Sequence, residues 1–227
     1  MEDEDKNSGK DRIRNMGQKR EDGNVKHYKQ LLLDTVYFER EAGYSGRTWI
    51  GYFERKTAYS LEIAQKIISL FFEFFENDLN DFVVVTSCYI DKDNLVETEN
   101  IEIENELCKK GYIKSINGNQ YFDKDQQAWE EQISNLELSF QVFHSDKDII
   151  TKLSFLGMTD ANLQGYCYFI SEKLDLIIYP HGDNTGYGCI GIKSKNNEKG
   201  IDFLKTASKN GFNSYIEYNG EIKKIEN

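Results

Sequence analysis

The sequence predicts an α/β domain of the α+β kind: a mixed, largely antiparallel sheet packed with several helices, behind a disordered N-terminal tail. Three observations carry this. Runs of β-branched and aromatic residues recur between turn formers in the last third of the 227-residue chain, too close together for crossover helices. Apolar residues at Leu61, Ala64, Ile67, Ile68, Phe71, Phe72 and Phe75 follow the 3.6-residue period of a helix with one buried face. With 14 Phe and 14 Tyr, the chain has the material for one sizeable core.

Residues 1–28 hold almost no large apolar side chains, the composition of a disordered tail. A single domain then spans 29–227. Leu31 to Phe38 suits either helix or strand, and Trp49–Phe53 reads as a strand. Ser60 is an N-cap for the helix of the Leu61–Phe75 stripe, which ends at Asn77. Phe82–Val85 is a β-branched run and reads as an interior strand. Ile101, Ile103 and Leu107 lead into a short helix stopped by Gly111. Asn117-Gly118, inside Tyr112–Phe122, predicts a hairpin with a type I′ turn, because both residues tolerate positive φ. Leu136 to Phe143 alternates as a strand, and Ser145-x-x-Asp148 opens a helix running to Gly157. Strands follow at Tyr166–Ile170, Leu176–Tyr179 and around Cys189–Ile192. A helix at Lys199–Ala207 and a strand at Phe212–Tyr218 complete the chain.

Acidic residues outnumber basic ones by 39 to 28, a formal charge of −11. Residues up to Lys29 carry seven acidic and eight basic side chains, so the excess belongs to the domain. Such a surface repels nucleic acid and anionic lipid and attracts basic partners, besides keeping the chain soluble. No apolar run reaches the roughly 18–20 residues of a membrane helix; the longest, Ile67 to Phe75, is interrupted by Ser69 and Glu73. The opening Met1-Glu2-Asp3-Glu4-Asp5 is unlike a secretory signal, so a cytoplasmic location is expected. Cys88, Cys108, Cys167 and Cys189 lie far apart and read as free thiols.

The densest polar cluster runs from Tyr179 to Cys189 and holds the one proline, Pro180, with His181, Asp183, Tyr187 and three glycines. It suits a binding or catalytic loop, and equally a hairpin whose Asp183, Asn184 and Gly186 serve turn geometry. Gly186-x-Gly188-x-x-Gly191 has the letters of a dinucleotide fingerprint. Its surroundings alternate like a strand, however, and lack the helix N-terminus that holds a pyrophosphate. Neither metal-ligand spacing nor a nucleophile elbow accompanies His181 and Asp183, so no metal, cofactor or catalytic residue is assigned. Carboxylates alternate at Glu97, Glu99, Glu102, Glu104 and Glu106. On a strand or strand-to-helix segment they project to one side, either as a docking patch for a basic protein or as a solvated face.

Four segments carry a resemblance: Tyr168-Phe169-Ile170, Leu176-Ile177-Ile178-Tyr179, Asp183-Asn184-Thr185-Gly186 and Tyr215-Ile216-Glu217-Tyr218. In layout they resemble an uncharacterised bacterial family, domain-of-unknown-function family 3885. That family has a Tyr-Phe-Ile strand, an apolar strand ending in Tyr-x-Asp-Asp-Arg-Gly, and an aromatic-Ile-x-x-Tyr segment. Its outline covers about 170 residues and its motifs about 50. Asp-Asn-Thr-Gly stands where the family has Asp-Asp-Arg-Gly, so the arginine is missing here. The resemblance implies an α/β fold and no particular activity. In size and charge the chain is also similar to small immunity proteins encoded beside bacterial toxins.

These observations converge on an acidic binding protein: an immunity-type inhibitor that neutralises a bacterial toxin by stoichiometric contact with a basic partner. Neither nucleic acid nor membrane is expected as a partner. The contact residues would be Glu97, Glu99, Glu102, Glu104, Glu106, His181, Asp183 and Tyr187. Two alternatives stand beside this, a small enzyme or ligand-binding protein using the 179–189 loop, and a regulatory homo-oligomeric domain.

Overall fold

The computed structural model describes residues 24–38, 46–93, 95, 100–118, 135, 137–182 and 185–226. Its strands are β1 (Trp49–Glu54), β2 (Val83–Thr86), β3 (Tyr89–Asp91), β4 (Lys114–Ile116), β5 (Gln141–His144), β6 (Leu163–Gln164), β7 (Cys167–Ser171), β8 (Leu176–His181), β9 (Gly186–Gly191), β10 (Asn213–Tyr218) and β11 (Glu221–Lys224). The helices are α1 (residues 24–35), α2 (Leu61–Phe74), α3 (Ile101–Lys110), α4 (Lys147–Thr159) and α5 (Glu198–Lys209). Eight strands pair in the order β11-β10-β1-β9-β8-β7-β2-β5, every pairing antiparallel. A second sheet, β4-β3-β6, has one parallel and one antiparallel pairing. The α+β expectation holds.

Alternation along the central strands sends side chains to two cores. Phe53, Val84, Phe169, Ile178, Tyr187 and Cys189 face α2, α4 and α5, where Phe71, Leu153 and Phe203 meet them. Val85, Tyr168, Ile170, Ile177, Tyr179 and Ile190 face the opposite way, toward Leu32 and Val36 of the α1 segment. Both faces of β8 and β9 are therefore buried, and apart from His181 at the end of β8 their sequences are apolar, aromatic or small at every step rather than alternating.

The α2 helix begins where its chemistry says. Ser60 Oγ accepts a hydrogen bond from the Ile63 N–H, and the helix buries Ala64, Ile67, Ile68, Leu70, Phe71 and Phe72. It stops at Phe74, three residues short of Asn77. In α4 the cap is Asp146 rather than Ser145, accepting from the N–H groups of Asp148 and Ile149. All four cysteines are free thiols, and Cys88, Cys167 and Cys189 are buried.

Three expectations are corrected. Helix α1 starts at residue 24, inside the stretch read as a tail, because Tyr28, Leu32 and Val36 supply a stripe that packs on the sheet. The rest of that stretch, 1–23, lies outside the described residues. The type I′ turn expected at Asn117-Gly118 is not formed: neither residue takes a positive φ, and β4 runs parallel to β3, while the second half of that hairpin, 119–122, lies outside the described residues. Gly118 instead donates its N–H to Asp91 Oδ1 at 2.7 Å. The type I′ signature belongs to Asn219 (φ 55°) and Gly220 (φ 83°), which turn β10 into β11. Finally, β5 covers only Gln141–His144, with residues 135 and 137 helical before it.

Candidate functional site

The 179–189 cluster is the β8–β9 hairpin, and Tyr179, His181, Thr185 and Tyr187 are buried in the fold. Tyr187 has none of its surface exposed, and its hydroxyl donates to Ser154 Oγ on α4 at 2.7 Å. Burial pushes this phenol far above the ordinary tyrosine range, so it is a neutral hydroxyl at any working pH. A contact role for Tyr187 is thereby corrected: it lies on the helix-facing side of β9, which the sheet's alternation places in the core. His181 is 8% exposed at the end of β8. Its Nε2 lies 3.3 Å from the Phe53 carbonyl, and Tyr52 meets its ring edge-on at 5.6 Å. It ties β8 to β1. Asp183 lies outside the described residues.

Around His181 the outer side of the sheet carries an aromatic row that sequence reading did not single out. Tyr52 and Tyr215 stack at 5.0 Å, Trp49 lies 6.0 Å from Tyr52, and the Trp49 indole N–H donates to the Tyr179 hydroxyl at 3.0 Å. The register explains the row. Tyr215 pairs with Tyr52, Tyr52 with Gly188, and Gly188 with Tyr179, so all four positions share one line across four strands. The signal in sequence was weak, since Tyr52, Tyr179 and Tyr215 sit on three different strands and only the register aligns them. Burial raises the Tyr52 and Tyr215 hydroxyls above their ordinary range, with the Glu54 carboxylate adding to the effect.

The carboxylate run resolves differently from expectation. Residues 101–110 are helical, so positions two apart are rotated by roughly 200°. Glu102 and Glu106 share a side, and Glu104 points the other way into the protein, 4% exposed. A docking role for Glu104 is corrected on that ground. Glu106 is already engaged. Lys110 donates to its Oε1 at 2.6 Å, and Lys152 of α4 donates to both of its oxygens at 2.7 and 2.8 Å. Lys152 also reaches Asp148 at 2.8 Å. Glu102 is exposed and stands at the start of α3, where a negative charge suits the helix dipole. Glu97 and Glu99 lie outside the described residues.

The chain matches no family model, no curated protein and no solved structure. The likeness to family 3885 thus rests on the quoted residues alone, and the site must be read from its own chemistry. Charge is unevenly placed. The described residues hold 23 Asp+Glu and 20 Lys+Arg, against 39 and 28 in the whole chain. The framework of strands and helices is nearly balanced. Most of the acidic excess lies in stretches outside the described residues, Glu97, Glu99 and Asp183 among them. No three His, Cys, Asp or Glu side chains of the described residues gather as metal ligands, and none of the described helices is long and apolar enough to cross a membrane.

Two of the grooves in the described surface are floored by aromatic side chains. One, of about 700 Å³, runs between α2 and α4 over Ile68, Phe72 and Phe155, with Lys147 and Asp148 at its rim. The other, of about 910 Å³, lies beside β5 and the start of α1, over Tyr28, Tyr112 and Phe140.

Proposed function

We propose that the protein acts by binding, as an acidic, immunity-type inhibitor that holds a basic bacterial toxin in a stoichiometric complex. One observation supports this reading above the others. The described residues are close to electrical balance although the whole chain is strongly acidic, so most of the acidic excess lies in stretches outside them, where it is available to attract a basic partner. Exposed Glu102, following Glu97 and Glu99 in sequence, is the described part of that surface. Acidic side chains there speed encounter with a basic partner, and less charged contacts hold the complex. His181 and Tyr187 of the 179–189 hairpin act within the fold, which supports a structural role for these two side chains.

The test is retention of a partner by the tagged protein from its native cells, at low and at high salt, with the retained proteins identified by mass spectrometry. A single basic protein in one-to-one amount, released as salt rises, is expected. Retention of nothing, or of a partner indifferent to salt, overturns the reading.

A further inference from the structure

Glu104 on α3 lies beside Asp160, the residue that closes α4, and the two carboxyl groups share a neighbour in Asn162. Asn162 braces both: its Nδ2 donates to Glu104 Oε1 at 3.3 Å, and its main-chain N–H donates to Asp160 Oδ1 at 2.8 Å. The second Asp160 oxygen, Oδ2, is shut off from solvent, and among the described residues no fixed N–H or hydroxyl donates to it. A buried carboxylate oxygen left without a donor is costly. The neighbouring group able to supply the donor is Glu104 itself, in its neutral form.

We propose that Glu104 is held protonated and donates its O–H to Asp160 Oδ2, so that one shared proton latches the first turns of α3 to the end of α4 and its loss releases them. With both groups ionised, two neighbouring carboxylates braced by the same asparagine in a poorly solvated pocket repel each other. Burial, with Asp160 beside it, pushes Glu104 up to about 7. The titratable and charged groups around it are Asp160 from α4 and Cys108 one turn on along α3, with Lys92, just after β3, beyond the thiol. Asn100 adds an uncharged tie, Nδ2 donating to Thr159 Oγ1 at 3.3 Å. The C-terminal half of α3 is fastened separately, by fully buried Leu107 and by the Glu106–Lys152 pair. Release is therefore local. It frees the end of α3 that carries exposed Ile101 and Glu102 and leaves the fold intact. This latch stands whether or not the protein is an inhibitor.

Native-state hydrogen exchange on the full chain, followed residue by residue from pH 5 to pH 8, tests it, with the α2 amides as internal reference. The opening constant for the amides of residues 104–107 is expected to rise about tenfold per pH unit between pH 5 and pH 7 and then level off. Glu104→Gln places an N–H where the proton was and is expected to hold opening low and flat across the range. Asp160→Asn, which lifts the repulsion from the other side, is expected to flatten the profile as well. A wild-type profile without slope, or a Glu104→Gln profile with the wild-type slope, overturns the proposal.

Discussion

The phenol end of Tyr179 occupies the space that a side chain at Gly188 would fill: a Cβ built there stands 2.1 Å from Tyr179 Cζ and 2.2 Å from its hydroxyl oxygen. The absence of a side chain on β9 is what lets Tyr179 lie across the strand and take the hydrogen bond from Trp49. Gly188→Ala is expected to expel the ring and to destabilise the fold by about 1–3 kcal/mol, the range for an overpacked interior. Urea unfolding measures the loss. Because Trp49 loses its acceptor, its fluorescence is expected to shift in the folded state as well. An unchanged midpoint would mean the ring moves aside freely.

Tyr187 and Ser154 form a buried hydroxyl pair between the sheet and α4. Tyr187→Phe leaves Ser154 without its donor, and Ser154→Ala leaves the phenol without its acceptor. Each is expected to destabilise by about 1–2 kcal/mol, and the double variant by clearly less than the two together. Strict additivity in denaturant melts would show that the two hydroxyls are satisfied elsewhere. Partner binding is expected to be unaffected by either change, since neither side chain reaches the surface.

Much of the framework was legible because short-range physics decides it. The α2 stripe, its Ser60 cap and the apolar strands β7 and β8 all declare themselves within a window of a few residues. What failed was pairing. Three Asn-Gly dipeptides carry the letters of a type I′ turn: 219–220 takes positive φ at both residues, 210–211 at its glycine only, and 117–118 at neither. Only the parallel pairing of β4 with β3 decides against the last, and that contact comes from outside the segment. The site was less legible still. Alternating Glu residues look alike in sequence, whereas the helix sends Glu104 inward and Glu106 to Lys110 and Lys152, partners set by tertiary packing.

Acid should loosen the α3–α4 joint at its other fastening. Hydrogen bonds from Lys110 and then Lys152 hold the Glu106 carboxylate down to about 2, below the ordinary 4.5. A depressed carboxylate contributes stability that is present above about pH 4.5 and is lost as pH falls toward 2. The melting temperature of the wild type is therefore expected to fall between pH 5 and pH 2.5 more steeply than that of Glu106→Gln, which lacks the titrating group. Glu104 has the opposite sign, its contribution fading as pH rises from about 4.5 through about 7. Parallel curves for wild type and Glu106→Gln would mean that the lysines do not hold the carboxylate in solution.

Charge reversal separates the acidic surface from the acidic interior. Glu97→Lys, Glu99→Lys and Glu102→Lys together change the local charge by six units without touching a described core residue. Against a basic partner they are expected to slow association tenfold or more at low ionic strength, with the curves converging as salt screens the field. Dissociation should change less, because long-range charge acts on encounter more than on the close contacts of the bound state. Stopped-flow association across a salt series measures both. Glu104→Gln is the internal control: it removes a carboxyl of the same run, but a buried one, and is expected to leave the association rate where it was. If the triple reversal associates like the wild type at low salt, the acidic run is a solvated face and steering comes from elsewhere. If Glu104→Gln slows association as much as the reversals do, the position of α3, rather than the charge it carries, governs binding.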